Sequence, residues 1–197
     1  LNARHTAWLV AWRQVFQEAG GHVPDRNVER MLCNTYIPVR PGDNRRLDLV
    51  VPGLSVARGL PLFVDVTVLC PLTASGQARP GTSNAGGRLL QDASAENDRT
   101  YHDVASSGLG ILYSLGAEVF GRWSSQAEKL LPQLARARSR GLHPRLRRSN
   151  AFCLLGRWSG ILATGLQRGV AHIVANDAGA DLVSAPVEPG LHLADLP

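Results

Sequence analysis

Two short apolar runs each carry a single aspartate: Arg45-Arg46-Leu47-Asp48-Leu49-Val50-Val51 and Leu62-Phe63-Val64-Asp65-Val66-Thr67-Val68. A carboxylate inside a β-branched strand costs free energy unless something offsets its charge. The connection between the runs contains Pro52, Gly53 and Pro61, so the pair reads as a hairpin. Pairing would bring Asp48 and Asp65 toward one point, where a divalent cation is the natural counter-charge. Such a cation lowers the pKa of a bound water and offsets charge building on a scissile phosphate. The layout therefore suits a metal-dependent phosphodiesterase. The spacing alone also permits a plainer role, two hairpin-end aspartates that face solvent or cap turns.

The surrounding elements must position these two acids. Arg4 to Ala19 has helical periodicity, with Trp8, Leu9, Trp12, Val15 and Phe16 on one face and Gly20-Gly21 as the stop. His22 to Met31 is predicted as a first strand, and Asn34 to Asn44 as a loop punctuated by Pro38, Pro41 and Gly42. Strands follow near 46–51 and 61–68. Alternation along the second puts Asp65, Thr67 and Leu69 on one face and Val64, Val66 and Val68 on the other. Thr73 to Gly87, rich in small residues, is predicted as a long mobile loop. A helix is expected from about Arg88 to Ser106, a buried strand over Ile111–Val119, a helix over Ser124–Arg138 kinked or restarted at Pro132, and a further helix over Arg147–Val174. Gly156, Gly160 and Gly165 in the last one weaken it and suggest close packing. The order predicts an α/β fold, a central mixed β-sheet flanked by helices. Residues 1–174 would form one domain, and 175–197, aperiodic and Pro-containing, a poorly ordered tail.

Composition narrows the setting. The chain has 197 residues, enough for one sizeable core, and a net charge of +5. Lys129 is its only lysine, so the positive charge is arginine, the better bidentate phosphate ligand. A GC-rich genome would give the same bias. Arg136, Arg138, Arg140, Arg145, Arg147 and Arg148 crowd one window around Gly141 and Pro144. They form either a phosphate-contacting patch or a solvated helix end. Cys33, Cys70 and Cys153 make neither a disulfide framework nor a zinc pattern, which fits a reducing intracellular setting. The six histidines show no ligand spacing. No apolar run approaches membrane-spanning length, so no membrane partner is expected. The chain opens on Leu-Asn-Ala-Arg-His rather than on Met, as a piece of a longer polypeptide would.

Several elements recur together in one known family: Arg46-Leu47-Asp48-Leu49-Val50-Val51, then Asp65-Val66-Thr67-Val68-Leu69-Cys70-Pro71-Leu72, a helix ending Ala95-Glu96-Asn97-Asp98-Arg99-Thr100-Tyr101, then Leu115 to Trp123 with its Gly121, and Gln167-Arg168-Gly169-Val170-Ala171. In this order they resemble the restriction-like endonuclease domain of site-specific non-LTR retrotransposons, a branch of the PD-(D/E)xK nuclease superfamily. The resemblance spans roughly residues 4–174. It implies a restriction-endonuclease-like fold, Mg²⁺ or Mn²⁺ as cofactor, and Asp48 and Asp65 as the metal-binding acids. The superfamily's catalytic lysine belongs two residues after the second acid, where this chain has Thr67. Where that lysine has moved onto the following helix, Arg99 is the nearest cation. Arginine stabilises phosphate charge but stays protonated, so it is a poor proton donor or acceptor.

The resemblance implies an endonuclease domain that nicks target DNA to prime reverse transcription. Its partners would be DNA and a covalently linked reverse transcriptase in a longer polyprotein, in an intracellular, nuclear setting. The alternative is a nuclease fold without catalysis that binds DNA or assembles a larger polyprotein, which the absent lysine favours. Glu118, in an apolar strand, reads as a structural acid paired with an arginine or as a group supporting the site from behind. Tyr101 reads as a packing residue or a phosphate contact. Glu18, near the end of the first helix, and Glu29 read as exposed acids or as the accessory acid some superfamily members carry, and Trp8 and Trp12, one turn apart, as core or as base-stacking platforms.

Overall fold

Helix α1 spans Ala3–Ala19 and buries Trp8, Leu9, Ala11, Trp12, Val15 and Phe16, the stripe its periodicity predicts. Gly20, at φ +97°, closes it, with the amides of Gly20 and Gly21 donating back to Gln17 and Phe16. The computed structural model describes residues 3–24 and 29–177. The strand expected over 22–31 reduces, among these residues, to β1 (Arg30–Met31), paired antiparallel with β2 (Arg46–Leu47).

The second sheet carries the fold. Its strands are β3 (Leu49–Val51), β4 (Leu62–Leu69) and β5 (Ile111–Glu118), in the order β3-β4-β5. The β3–β4 pair is antiparallel and β4–β5 parallel, so the sheet is mixed, as expected. The single strand predicted over 46–51 is in fact two, broken at Asp48. Leu47 and Leu49 would share a face in a continuous strand. Both are fully buried, but in different cores: Leu47 packs with Leu32, Ile37, Phe63, Tyr101 and Val104, and Leu49 with the α1 side chains. A bend at Asp48 lets one short segment feed two cores.

The crossover from β4 to β5 runs through a loop, then α2 (Arg88–Thr100) and α3 (His102–Ser107). One helix was expected here. It divides at Tyr101, whose backbone leaves helical geometry (φ −109°, ψ 32°) while its ring is buried and its hydroxyl donates to the Arg46 carbonyl. Between Pro71 and Gly87 the chain makes local turns, such as Thr73 N to Gln77 O and Arg79 N to Pro71 O.

Helix α4 (Ser125–Ser139) starts at Ser124, whose hydroxyl accepts from the Ala127 amide, and continues unbroken through Pro132. Helix α5 (Pro144–Asp177) has Pro at its first position and is longer than the 147–174 predicted. It lies antiparallel to α1: Arg157 and Trp158 bond to Glu18, and a side chain at Gly165 or Gly169 would collide with Ala11 or with the Arg4 backbone. Of the glycines singled out in this stretch, Gly165 is where α1 approaches, while Gly156 and Gly160 face open space.

Helices thus cover both faces of the sheet. Leu62, Val64, Val66, Leu115 and Ala117 point to α1, α4 and α5; Phe63 points to α3. The tail from 178 onward lies outside the described residues. Among the described residues, no helix is long and apolar enough to cross a membrane.

Candidate active site

Asp48 and Asp65 approach each other because β3 stops one residue short. The register pairs Leu49 with Val64 and Val50 with Phe63, so the next position along sets Asp48 opposite Asp65. Beyond that point β3 no longer supplies backbone acceptors to β4. The Asp48 carboxylate takes over that duty: its Oδ2 accepts from the Val66 amide at 2.6 Å. The same oxygen accepts from His5 Nε2 at 3.1 Å. His5 is set there by α1, which Trp8 fastens to the sheet by donating from Nε1 to the Leu115 carbonyl at 3.2 Å.

Asp65 projects from the middle of β4 on the same face as Phe63, beneath α2. Asn97 of α2 donates from Nδ2 to Asp65 Oδ2 at 2.5 Å, and Thr67 Oγ1 lies 3.4 Å from that oxygen. Gln126 holds α2 at this place. It accepts from the Ser114 amide, Ser114 being the residue beside Asp65 in the sheet, and donates to Ser94 on α2. Tyr101 covers the pair from the α2–α3 junction.

The electrostatics are those of an acidic pair partly compensated by His5 and by hydrogen-bond donors. Burial pushes the Asp65 carboxyl up to about 6, and the Asp48 charge pushes the same way, against the Asn97 hydrogen bond. Tyr101 is pushed up to about 12, first by burial and then by the charges of Asp65 and Asp48. His5 is raised chiefly by its hydrogen bond to Asp48, with burial opposing and the charges of Asp48, Asp65 and Glu29 assisting. Two acids, a histidine and a phenol therefore sense one another in a part-buried cluster.

Arg99 is on α2 but ion-pairs with Glu96, with its side chain 72% exposed. Helical spacing explains this: Asn97 is four residues before Tyr101 and seven after the buried Leu90, whereas Arg99 is turned well away from that line. Glu118 is buried at the end of β5, opposite Leu69, with Arg122 Nη1 at 3.3 Å. That is four residues along the sheet from Asp65, roughly 13 Å. Arg136, Arg138, Arg140, Arg145, Arg147 and Arg148 all stand exposed around the α4–α5 turn, away from the acids. Arg45, the cation whose charge reaches Tyr101, is held by Asp43, Asp103 and the Thr100 carbonyl.

His5 and Asn97 did not emerge from sequence reasoning. His5 lies three and four residues before Trp8 and Leu9, so helical spacing marks it as facing inward. Asn97 is marked by its spacing to Tyr101. Glu18 is no bare surface acid: it accepts from Arg157 Nε and Nη2 and from Trp158 Nε1, each at 2.8 Å, and Arg157 above all holds its carboxyl down to about 2.

The donor set suits a hard cation. Among the described residues, no group of three or more His, Cys, Asp or Glu side chains is arranged to hold a metal ion. What the site offers is a pair of carboxylates, and Mg²⁺ is commonly bound by one or two carboxylates with waters completing its shell. The raised Asp65 carboxyl reflects its burial first and the neighbouring Asp48 charge second. Compared with known protein families, with curated proteins and with solved structures, the chain matches none.

Proposed function

We propose that Asp48 and Asp65 hold a divalent cation, Mg²⁺ or Mn²⁺, and that the chain is the DNA-nicking domain of a retroelement polyprotein with a restriction-endonuclease-like fold. The observation that carries this reading is the convergence of the two acids, from antiparallel neighbours, with one pushed up to about 6 by burial and by the other. When bound, the ion supplies a nucleophilic water and offsets charge on the scissile phosphate. The chain's own groups do the rest. Val66 and His5 orient the Asp48 carboxylate from behind. Asn97 fixes one oxygen of Asp65. The Tyr101 hydroxyl donates to the Arg46 carbonyl, which holds the ring beside the acids. A nick made here would leave a 3′ end for a linked reverse transcriptase to extend.

A second reading is a nuclease fold that binds DNA or assembles a larger polyprotein without catalysis. One observation favours it: α2 presents a neutral amide to Asp65, while Arg99 is engaged by Glu96. An amide orients a carboxylate but moves no proton. The test is relaxation of supercoiled DNA in Mg²⁺ or Mn²⁺. Under the first reading open circles form, and Asp65→Asn abolishes them. DNA binding without nicking in either metal would establish the second.

A further inference from the structure

The α4–α5 hairpin holds a feature that the acid site does not use. A groove of about 600 Å³ runs between the two helices, lined by Arg136, Arg140, Arg147, Arg148 and Phe152 over a floor that includes Ala135 and Ser139. Four of its lining residues are arginines and, among the described residues, none is acidic. Phe152 is 77% exposed, the most exposed of the large apolar side chains described, and stands beside those cations. The groove is braced from within. Ser139 donates to the Ala135 carbonyl at 2.7 Å, and Asn150 donates to Ser139 Oγ at 2.9 Å, which ties α5 to α4. Arg147 is anchored through Nε on the Leu142 carbonyl at 2.9 Å, so less of its freedom remains to be lost on binding.

We propose that this groove docks single-stranded DNA, with the four guanidiniums on phosphates and Phe152 as the platform for one base. Arginines alone would suit any polyanion. The exposed ring selects among them, because only a nucleobase with an open face stacks on it, and in a duplex those faces are already covered. The choice of DNA rests on the nicking reading, since a nick at the acid pair releases a single strand. The two places are well apart. Gly169 of α5 packs on Arg4, next to His5, and Phe152 lies seventeen residues earlier on the same helix, about 25 Å away at 1.5 Å per residue. About seven stacked nucleotides at 3.4 Å each span that distance.

The experiment is fluorescence anisotropy of the whole chain with a labelled thymidine oligomer of about 15 nucleotides, in EDTA so that no cleavage is needed. A blunt duplex, a uridine oligomer and poly-glutamate serve as comparators. Phe152→Ala should weaken the thymidine oligomer by about 5- to 150-fold and leave the duplex within about twofold, and Phe152→Tyr should restore binding. Arg147→Ala with Arg148→Ala should flatten the dependence of log affinity on log salt by about 1.4. Unchanged oligomer affinity in Phe152→Ala overturns the proposal, as does equal competition by poly-glutamate. Tighter binding of uridine than thymidine overturns the choice of DNA. Phe152-dependent binding in a chain that never nicks upholds the groove and removes the nicking reading, so the two fail separately.

Discussion

The two ends of the α1–α5 helix pair carry opposite charge in opposite settings. At one end, beside His5, two carboxylates are sunk where β3 stops, and each is gripped by groups from other elements. At the other, around the α4–α5 turn, six arginines stand in solvent. Buried charge is expensive, so its neighbours are specified and single substitutions there should be felt. Exposed charge costs little, and its effects are long-ranged, roughly additive and screened by salt. The acid end should therefore answer to pH and to single substitutions, and the arginine end to ionic strength.

The largest contrast is expected in nicking. Asp65→Asn should lower it by about 10²–10⁴-fold, whereas alanine at Arg138 or Arg145 should change it only through DNA affinity. Equal losses at both ends, measured at saturating DNA, would erase this contrast. A gain should come from the helix residue that faces the acid: Asn97→Lys should raise nicking by up to about 10²-fold, and Arg99→Lys should not. Rescue by Arg99→Lys instead would mean that α2 is rotated relative to the arrangement here.

Stability without metal separates the two acids themselves. Asp65 keeps its proton to about pH 6 in the folded chain, against an ordinary 3.8, so the unfolded state ionises first as pH rises. Metal-free stability should fall between about pH 4 and 6, by about 3 kcal/mol at most, and stay low above that range. Asp65→Asn should flatten this region and raise stability at pH 7. Asp48→Ala should instead lower stability at pH 7, by about 1–3 kcal/mol, because the buried Val66 amide loses its acceptor. Urea titrations at pH 4 and pH 7 measure both. The smallest stability effect belongs to the arginine end. Replacing Arg136, Arg147 and Arg148 by alanine should shift stability by under about 0.5 kcal/mol, while the salt slope of duplex binding drops by up to about 3.

Much of the framework was legible from local pattern. The β-branched runs gave β4 and β5 almost to the residue, and the Trp8–Phe16 stripe gave α1. The break at Asp48 was not legible, because Leu47 and Leu49 look like one alternating strand until two separate cores claim them. The division at Tyr101 was hidden for a similar reason: what ends α2 is a hydroxyl bonded to Arg46, 55 residues earlier. Of the site, the acid pair followed from sequence. His5 and Asn97 did not, since each touches an aspartate far along the chain and only tertiary packing brings them together. The arginine cluster was visible as a window, but its splitting into groove residues and bystanders depends on how α4 turns back along α5.

If Asp48 and Asp65 share one divalent cation, calorimetric titration of Mn²⁺ into wild type, Asp48→Asn and Asp65→Asn at pH 7 will register it. Wild type should show a single saturable site and each variant a loss of affinity of at least about tenfold, with folding retained. Unchanged affinity in both variants, or no saturable binding in wild type, would rule out the shared ion.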